Sequence, residues 1–346
     1  MTTSQSVQTG TRILGMRDMR ELLTLEDTIE LQRGAFASQA RGKATMAPNS
    51  WLRLPGERRA WLKLLAGHDS ASGALGVKVL ARFPERGPGN NLASLLLLFD
   101  DEDGAPLAIM DAVYVTAVRT AAGAALATQA LARPDSRRVG MLGTGTLAWY
   151  SVLAHRILCP DLDQLTVYSR SEDRRQEFAS RVRSETGIDV RAVGTVDEAV
   201  AGADVVITAT NAPQPVLLDA HVEPGQHIGA IGIRSEIEPA AVARCLVVGD
   251  GREEALHDGK FSTAVAAGVA DASQLGPELG EVMEGMAPGR TSDEQITLFD
   301  SSGVAIQDVV CARHAWQRAT DTDTGALVGF ADAACSTELQ EVSEWI

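Results

Sequence analysis

Three apolar runs with short polar interruptions lie between residues 74 and 112. They are ALGVKVLARFP (74–84), LASLLLLFDD (92–101) and APLAIMDA (105–112), and the turn-forming stretch DEDG separates the second from the third. Apolar runs of this length, bounded by Gly, Pro and Asp, are typical of β-strands. The pattern predicts an antiparallel sheet in the first part of the chain.

An alanine-rich segment, VTAVRTAAGAALATQALARPDS (115–136), follows this sheet. Its good helix formers predict one long helix that stops before Pro134 and leads into a glycine-rich stretch. Beyond it, apolar strands at 164–168, near Val190 and in DVVITAT, HIGAIGI and CLVVGD alternate with helical segments at 172–186 and in DEAVAGA. One more strand and a helix follow in ITLFDSSGVAIQDVV (296–310). Such alternation predicts a parallel sheet covered on both faces.

The predicted fold class is therefore α/β, with a Rossmann-type doubly wound parallel sheet and a second, α+β domain. The chain has 346 residues and 45% hydrophobic content, which is enough for two separate cores. We place the α+β domain at residues 1–122 and 318–346, and the Rossmann domain at residues 123–317.

The glycine-rich stretch RRVGMLGTGTLAWYSVLAHRIL (137–158) carries Gly143, Gly145 and Ala148 at the spacing GxGxxA. It follows an apolar strand and opens a helix, which is the context that dinucleotide binding requires. Gly143 allows a tight turn, Gly145 lets the backbone approach a pyrophosphate, and the helix N-terminus offers free amides. The predicted cofactor-binding residues here are Gly143, Thr144, Gly145, Thr146 and Leu147. An ordinary strand-to-helix turn is the alternative.

The end of the next strand reads VYSRSEDRR, with Ser169, Arg170 and Ser171 where NAD-binding proteins place a carboxylate. An arginine at this position suits a 2′-phosphate, so the sequence favours NADP(H), with NAD(H) possible. In the alternative, Arg170 is a solvated charge at a helix start and Glu172 or Asp173 reaches the ribose.

A third polar loop, TATNAPQPVL, follows an apolar strand. Loops at the carboxyl ends of parallel strands line the cofactor crevice, so we expect Thr208, Thr210 and Asn211 beside the nicotinamide ribose. The alternative is a polar loop in which Pro213 and Pro215 act only as breakers.

The composition and charge of the chain indicate which kinds of molecule it binds. The chain has 31 basic and 46 acidic residues, a net charge of −15, which disfavours nucleic acid and anionic membranes. No apolar run approaches the roughly 18 residues of a membrane span, and the N-terminus lacks an apolar signal region, so we expect a cytoplasmic protein with a small-molecule partner. The cysteines lack CxxC spacing and the histidines lack metal-ligand spacing, which predicts reduced thiols and no metal site. The cysteines are Cys159, Cys245, Cys311 and Cys335.

Five segments together resemble the ornithine cyclodeaminase and mu-crystallin family. They are LGVKVLARFP (75–84), LAIMDAVYVTAVRTAA (107–122), VGMLGTGTLA (139–148), ITATNAPQPVL (207–217) and APGRTSDEQITLFDSSGVAIQDV (287–309), and the resemblance runs from about residue 70 to 316. It implies that the α+β domain binds substrate and forms a homodimer through its sheet.

By the same resemblance, Lys78 and Arg119 match positions that bind the substrate α-carboxylate and place its α-carbon against the nicotinamide. A guanidinium grips a carboxylate bidentately, and a lysine inside an apolar strand is costly without an anionic partner. The alternatives are an edge-strand lysine and a helix-surface arginine. A further family arginine lies upstream, and Arg53 has about the right separation from Lys78, with Arg41, Arg58 and Arg59 as nearby alternatives.

One loop departs from the cyclodeaminase pattern. Cyclodeaminases carry an aspartate soon after the glycine of this strand end, whereas here Gly232 is followed by Ile233 and Arg234. Three alternatives remain: Arg234 binds a second anionic group, Glu236 takes over proton transfer, or Ser235 caps the following helix. Gly232 itself is a predicted cofactor-binding residue.

The resemblance and this departure favour an NAD(P)H-dependent reductase of a carboxylate-bearing imine, such as pyrroline- or piperideine-2-carboxylate, or the reverse amino-acid dehydrogenation. Lys78, Arg119 and Arg53 are the predicted catalytic residues. Two alternatives remain: an ornithine- or lysine-type cyclodeaminase with bound NAD, and a non-catalytic, NADPH-linked small-ligand binder of the mu-crystallin type.

Overall fold

The computed structural model describes residues 10–55, 60–84 and 92–329. In this part of the chain the strands are β1 (Thr11–Leu14), β2 (Ala44–Met46), β3 (Ser50–Arg53), β4 (Trp61–Asp69), β5 (Ala74–Arg82), β6 (Leu92–Phe99), β7 (Pro106–Asp111), β8 (Arg138–Leu142), β9 (Gln164–Tyr168), β10 (Asp189–Val193), β11 (Val205–Thr208), β12 (His227–Ala230), β13 (Leu246–Gly249), β14 (Thr297–Asp300) and β15 (Ala326–Val328). The α-helices are α1 (Met16–Leu22), α2 (Leu25–Ala40), α3 (Val113–Leu131), α4 (Thr146–Leu158), α5 (Glu172–Thr186), α6 (Val196–Val200), α7 (Pro239–Ala243), α8 (Arg252–His257), α9 (Lys260–Ala266), α10 (Leu279–Met283) and α11 (Ala305–Asp321).

The first sheet has the strand order β15-β1-β7-β6-β5-β4-β2, with β3 also paired to β4. The predicted strands β5, β6 and β7 pair antiparallel, as expected. Along each strand, alternate side chains face the inner side of the sheet, where helix α11 packs. Gly67 permits this close approach, because a Cβ there would lie 2.8 Å from the Cβ of Ala305.

The opposite side of this sheet, here called the outer apolar face, carries apolar side chains that the described residues cover only in part. Among them Leu95 has half of its surface exposed. The face consists of Leu62, Leu64, Ala66, Leu75, Val77, Val79, Ala81, Ala93, Leu95, Leu97, Phe99, Leu107 and Ile109.

The second sheet has the order β10-β9-β8-β11-β12-β14-β13, and all of its strand pairs are parallel. The chain runs outward from β8 to β10 and then continues on the other side of β8, so the sheet is doubly wound as predicted. Strands β8 and β11 are the topological switch point, where a crevice forms at the carboxyl ends of the strands.

Two helices join the two sheets. The predicted connector α3 is almost wholly buried and packs against strands of both sheets, and α11 packs on β4 and β5 of the first. The predicted domain boundaries at 122/123 and 317/318 fall inside α3 and α11, and they stay a prediction.

Within the described residues, no helix has the length and hydropathy needed to cross a membrane. Three cysteines are free thiols: Cys159, Cys245 and Cys311. The fourth, Cys335, lies outside the described residues.

Candidate active site

The glycine turn between β8 and α4 lies at the carboxyl end of the parallel sheet. Gly143 has a φ of +120°, and a Cβ there would lie 2.5 Å from the carbonyl oxygen of Ala209. Gly145 is the N-cap of α4, and no described heavy atom beyond its own turn lies within 4 Å of a Cβ built on it. Gly143 therefore lets the turn pack closely against the backbone that follows β11, whereas Gly145 leaves an open space in front of the N-terminus of α4.

This space suits a pyrophosphate. The first hydrogen bond of α4 runs from the Trp149 amide to the Gly145 carbonyl at 3.0 Å, so the amides of Thr146 and Leu147 precede the helical ladder. A helix start with free amides attracts anions. Thr144 and Gly145 lie at the same opening, and the residues present fit a dinucleotide.

The loop after β9 carries the residues predicted to choose between NAD and NADP. Ser171 accepts a hydrogen bond from the Arg174 amide at 3.4 Å and caps α5, while the Ser169 hydroxyl donates to the Ser171 carbonyl at 3.1 Å. Arg170 is exposed and makes no hydrogen bond or ion pair with the described residues. Arg175, which the sequence analysis missed, donates to the Ser169 carbonyl at 3.2 Å. Arg170 is thus free to meet an anion beside this loop.

Glu236 ties together the loops after β11 and β12. Its carboxylate is fully buried and accepts hydrogen bonds from the hydroxyl of Thr208 at 2.8 Å and from the amide of Gly232 at 2.8 Å. The amide and hydroxyl of Thr210 donate to the other oxygen at 2.9 and 3.0 Å. Burial raises the pKa of Glu236, and Lys260 and these hydrogen bonds oppose that shift. With four donors on its two oxygens, Glu236 holds the loops after β11 and β12 together at this edge of the crevice.

The remaining loop predictions have mixed outcomes. Asn211 is exposed, three residues after the end of β11. The capping role of Ser235 is wrong: its hydroxyl donates to the Ala212 carbonyl at 3.0 Å, and α7 begins at Pro239 with Glu238 as its N-cap. A short 3₁₀ turn, Arg234–Glu236, lies between, with Arg234 exposed.

Lys78 and Arg119 meet at one carboxylate, Asp308 on α11. Lys78 Nζ lies 2.6 Å from Asp308 Oδ2, and Arg119 Nε donates to Asp308 Oδ1 at 3.1 Å. Arg119 also donates to Gln307 Oε1 at 3.0 Å. Lys78 is 1% exposed and Asp308 is fully buried. Two buried cations therefore share one anion, here called the Asp308 cluster.

The surroundings of Lys78 weaken its charge. Its neighbours across β4 and β6 are Leu65 and Leu96. Burial and the nearby Arg119 guanidinium lower the pKa of Lys78 to about 7, against the opposing effect of Asp308. The lysine is therefore poised between its charged and neutral forms, and an added carboxylate favours the charged one.

The loop after β14 brings the Asp308 cluster to the crevice. The Ser301 amide donates to the Ala230 carbonyl at the end of β12, at 3.1 Å. Two residues later, Gly303 has a φ of +81°, and a Cβ there would lie 3.0 Å from a terminal nitrogen of Arg119. Asp250 holds the loop by accepting hydrogen bonds from the Gly303 amide at 2.8 Å and the Ser302 amide at 3.1 Å.

Arg53 lies outside the Asp308 cluster. It pairs with Trp61 on β4, four positions from Leu65, the partner of Lys78. At about 3.3 Å per residue, this separates Arg53 from Lys78 by about 13 Å along the strands. The Arg53 side chain is exposed and stacks on the Trp51 ring, 5.1 Å from its centroid. Its catalytic role stays a prediction.

The sequence analysis missed several charged residues, among them Asp308 of the cluster and its neighbour Lys63 on β4. Asp308 is one acidic position on the buried face of α11, and Lys63 is one basic position in the apolar strand β4. Each breaks an apolar pattern in the way that Lys78 does, so the same signal was present in the sequence.

The model of the ornithine cyclodeaminase/mu-crystallin family matches residues 10–323. The chain belongs to this family. An alanine dehydrogenase of Archaeoglobus fulgidus is 34% identical over 325 residues, which cover 92% of this chain and 98% of that protein. The match begins well before residue 70, at which the resemblance described from the sequence segments begins.

Solved structures of family relatives share the fold. A Δ1-pyrroline-2-carboxylate reductase of Thermococcus litoralis, in complex with NADH and L-proline, has a TM-score of 0.85 and 29% identity and covers 92% of this chain and 100% of its own. An archaeal alanine dehydrogenase dimer with bound NAD has a TM-score of 0.87 and 32% identity. The match covers 93% of this chain and 99% of the alanine dehydrogenase chain.

Proposed function

We propose that this protein is an NAD(P)H-dependent reductase of a carboxylate-bearing imine, such as pyrroline- or piperideine-2-carboxylate, or the dehydrogenase of the corresponding amino acid. One observation carries the proposal: Lys78 and Arg119 share a single buried carboxylate beside the crevice. Two cations that share one counterion can bind one further anion, and in this proposal that anion is the substrate carboxylate. The reductase and dehydrogenases among the relatives support the same reaction class.

In this proposal, separate groups of residues bind the cofactor and the substrate. The α4 amides and Gly145 hold the cofactor phosphates, and Glu236 fixes the loops beside them. Lys78 and Arg119 hold the substrate carboxylate and so orient its α-carbon, while Asp308 keeps both cations in place. When bound, the nicotinamide supplies or accepts the hydride. If the imine is bound protonated, no strong acid is needed in the loop after Gly232.

NADP(H) is the proposed preferred cofactor. Arg170 is exposed beside the β9 loop without a partner in the described residues, and no carboxylate stands at the strand end itself. Its guanidinium can pair with a 2′-phosphate, whereas a ribose hydroxyl gains little from it.

The proposed assembly is a cytoplasmic homodimer that buries the outer apolar face. A contiguous apolar sheet face that is left partly uncovered marks an interaction surface. A relative is described as a dimer. In this arrangement residues 1–122 and 318–346 form the substrate-binding and dimerisation domain, and residues 123–317 form the Rossmann domain.

Replacement of Arg119 tests the proposed function. We expect Arg119→Ala to lose at least about 100-fold in kcat/KM for imine reduction, because a bidentate charge-assisted contact is removed. NADPH affinity should stay within a few-fold of wild type. Arg17→Ala, at an arginine whose side chain is 91% exposed, is the matched control and should be fully active. Undiminished imine reduction by Arg119→Ala contradicts the proposal.

A further inference from the structure

A second buried lysine lies beside the Asp308 cluster and takes no part in it. Lys63 on β4 is 5% exposed and faces the same side of the sheet as Lys78. Lys63 pairs with Leu80 and Lys78 pairs with Leu65, so the two lysines are diagonal neighbours across the antiparallel strands. Such neighbours have Cα atoms about 7–8 Å apart.

The ammonium group of Lys63 has unused hydrogen-bonding capacity. It donates to the Ser302 carbonyl at 3.3 Å, and Asp258 Oδ2 lies 3.7 Å away, beyond hydrogen-bond distance. That Asp258 oxygen already accepts from Trp51 Nε1 at 2.8 Å. An ammonium has three donors, so this buried group has room for another acceptor.

The surroundings of Lys63 are aromatic and carry charges of both signs. Lys63 Nζ lies 4.8 Å from the centroid of the Trp51 ring, and Arg53 stacks on the same ring. Ser302, which accepts from Lys63, precedes Gly303 beside Arg119, so the same loop contacts both Lys63 and the Asp308 cluster. Burial lowers the pKa of Lys63, and Asp258, Asp250 and Glu254 oppose that shift.

We propose that Lys63, with Trp51 beside it and Arg53 at the rim, binds a second acidic group of the substrate. This deepens the proposed function, on which it rests: the α-carboxylate occupies Lys78 and Arg119, and a side-chain carboxylate reaches Lys63. The substrate class is then an imine, or its amino acid, that carries two carboxylates. Lys63 is a specificity-determining residue in this scheme, distinct from the pair that holds the α-carboxylate.

Matched amino acids test this inference in the oxidative direction with saturating NADP⁺. L-Aspartate and L-glutamate are compared with L-asparagine and L-glutamine, which have nearly the same shape without the second charge. We expect wild type to favour each acid over its amide at least about tenfold in kcat/KM, mainly through KM. Lys63→Met should remove this preference, with kcat/KM for the two amides staying within about threefold of wild type. Lys63→Arg should retain most of the preference.

Lys43→Met, at an exposed lysine, is the matched control and should keep the wild-type preference. Equal losses for acids and amides in Lys63→Met, or no acid preference in wild type, overturn the inference while the proposed function stands. If no amino acid or imine is turned over, the proposed function fails. In that case, the affinities of the NADP⁺ complex for glutarate and for butyrate are compared by titration. Tighter binding of glutarate supports the Lys63 subsite, and equal affinities overturn it. Should Lys63→Met not fold, Lys63→Gln takes its place.

Discussion

Lys78 on β5 and Asp308 on α11 form a buried ion pair, with Nζ 2.6 Å from Oδ2, across the interface between the first sheet and the helix that covers it. Arg119 from α3 occupies the other oxygen of the same carboxylate. The Asp308 cluster thus joins three separate segments of the chain, β5, α3 and α11, where the substrate carboxylate is proposed to bind.

Removal of the Asp308 charge should destabilise the fold and impair catalysis together. In Asp308→Asn, Lys78 and Arg119 lose their buried counterion, and breaking a buried pair costs about 3–5 kcal/mol. Denaturant unfolding measures this loss. Asp321→Asn, at an exposed position at the end of the same helix, should cost less than about 0.5 kcal/mol. Equal stability of the two variants contradicts the role of Asp308.

The pKa of Lys78 predicts how substrate binding depends on pH. Because this pKa is lowered to about 7, the ammonium is charged below pH 7 and neutral above it. KM for the imine should therefore rise as the pH increases beyond about 7, and Lys78→Arg should flatten this rise because guanidinium stays charged. Steady-state kinetics between pH 6 and 9 measure the slope. An equally steep profile in Lys78→Arg assigns the titration to another group.

The two glycines of the cofactor turn should respond differently to alanine. Gly143→Ala meets the Ala209 carbonyl at 2.5 Å with a φ of +120°, so it should lower the melting temperature by several degrees. Gly145→Ala meets no described atom and has a compatible φ of −88°, so the fold should be unchanged. Its methyl group enters the proposed phosphate space, and NADPH affinity should fall at least about tenfold. Unchanged NADPH affinity in Gly145→Ala places the phosphates elsewhere.

Glu254 should make the protein less stable as the pH rises. Burial and the neighbouring Asp250 raise its pKa from 4.5 to about 7. Between these values the unfolded chain releases a proton that the folded protein keeps, so stability falls over this range. Glu254→Gln should be more stable than wild type by about 2 kcal/mol at pH 8 and equal at pH 4. Glu253→Gln, at a side chain that is 71% exposed, should lack this pH-dependent gain.

The sequence predicted the fold wherever apolar patterns were local. The strands from β5 to β14, the connector α3 and the glycine turn follow from periodicity and turn residues, and the observed elements agree with them, whereas β15 was not predicted. The site depended on longer-range contacts. Asp308 reaches Lys78 only because α11 packs on the first sheet, and periodicity along α11 cannot reveal that partner. Arg53 has a suitable separation from Lys78 in sequence, but the pairing register of β3 and β4 places it four residues along the strands from the position opposite Lys78.

The most direct measurement is a fluorescence titration of the purified, nucleotide-free protein with NADPH and NADH, followed by addition of pyrroline-2-carboxylate and piperideine-2-carboxylate. We expect tighter binding of NADPH, its oxidation when either imine is added, and no ammonia release from ornithine or lysine. Tight nucleotide binding without oxidation across a panel of carboxylate-bearing imines contradicts the reductase proposal and favours a ligand binder, and ammonia release favours a cyclodeaminase.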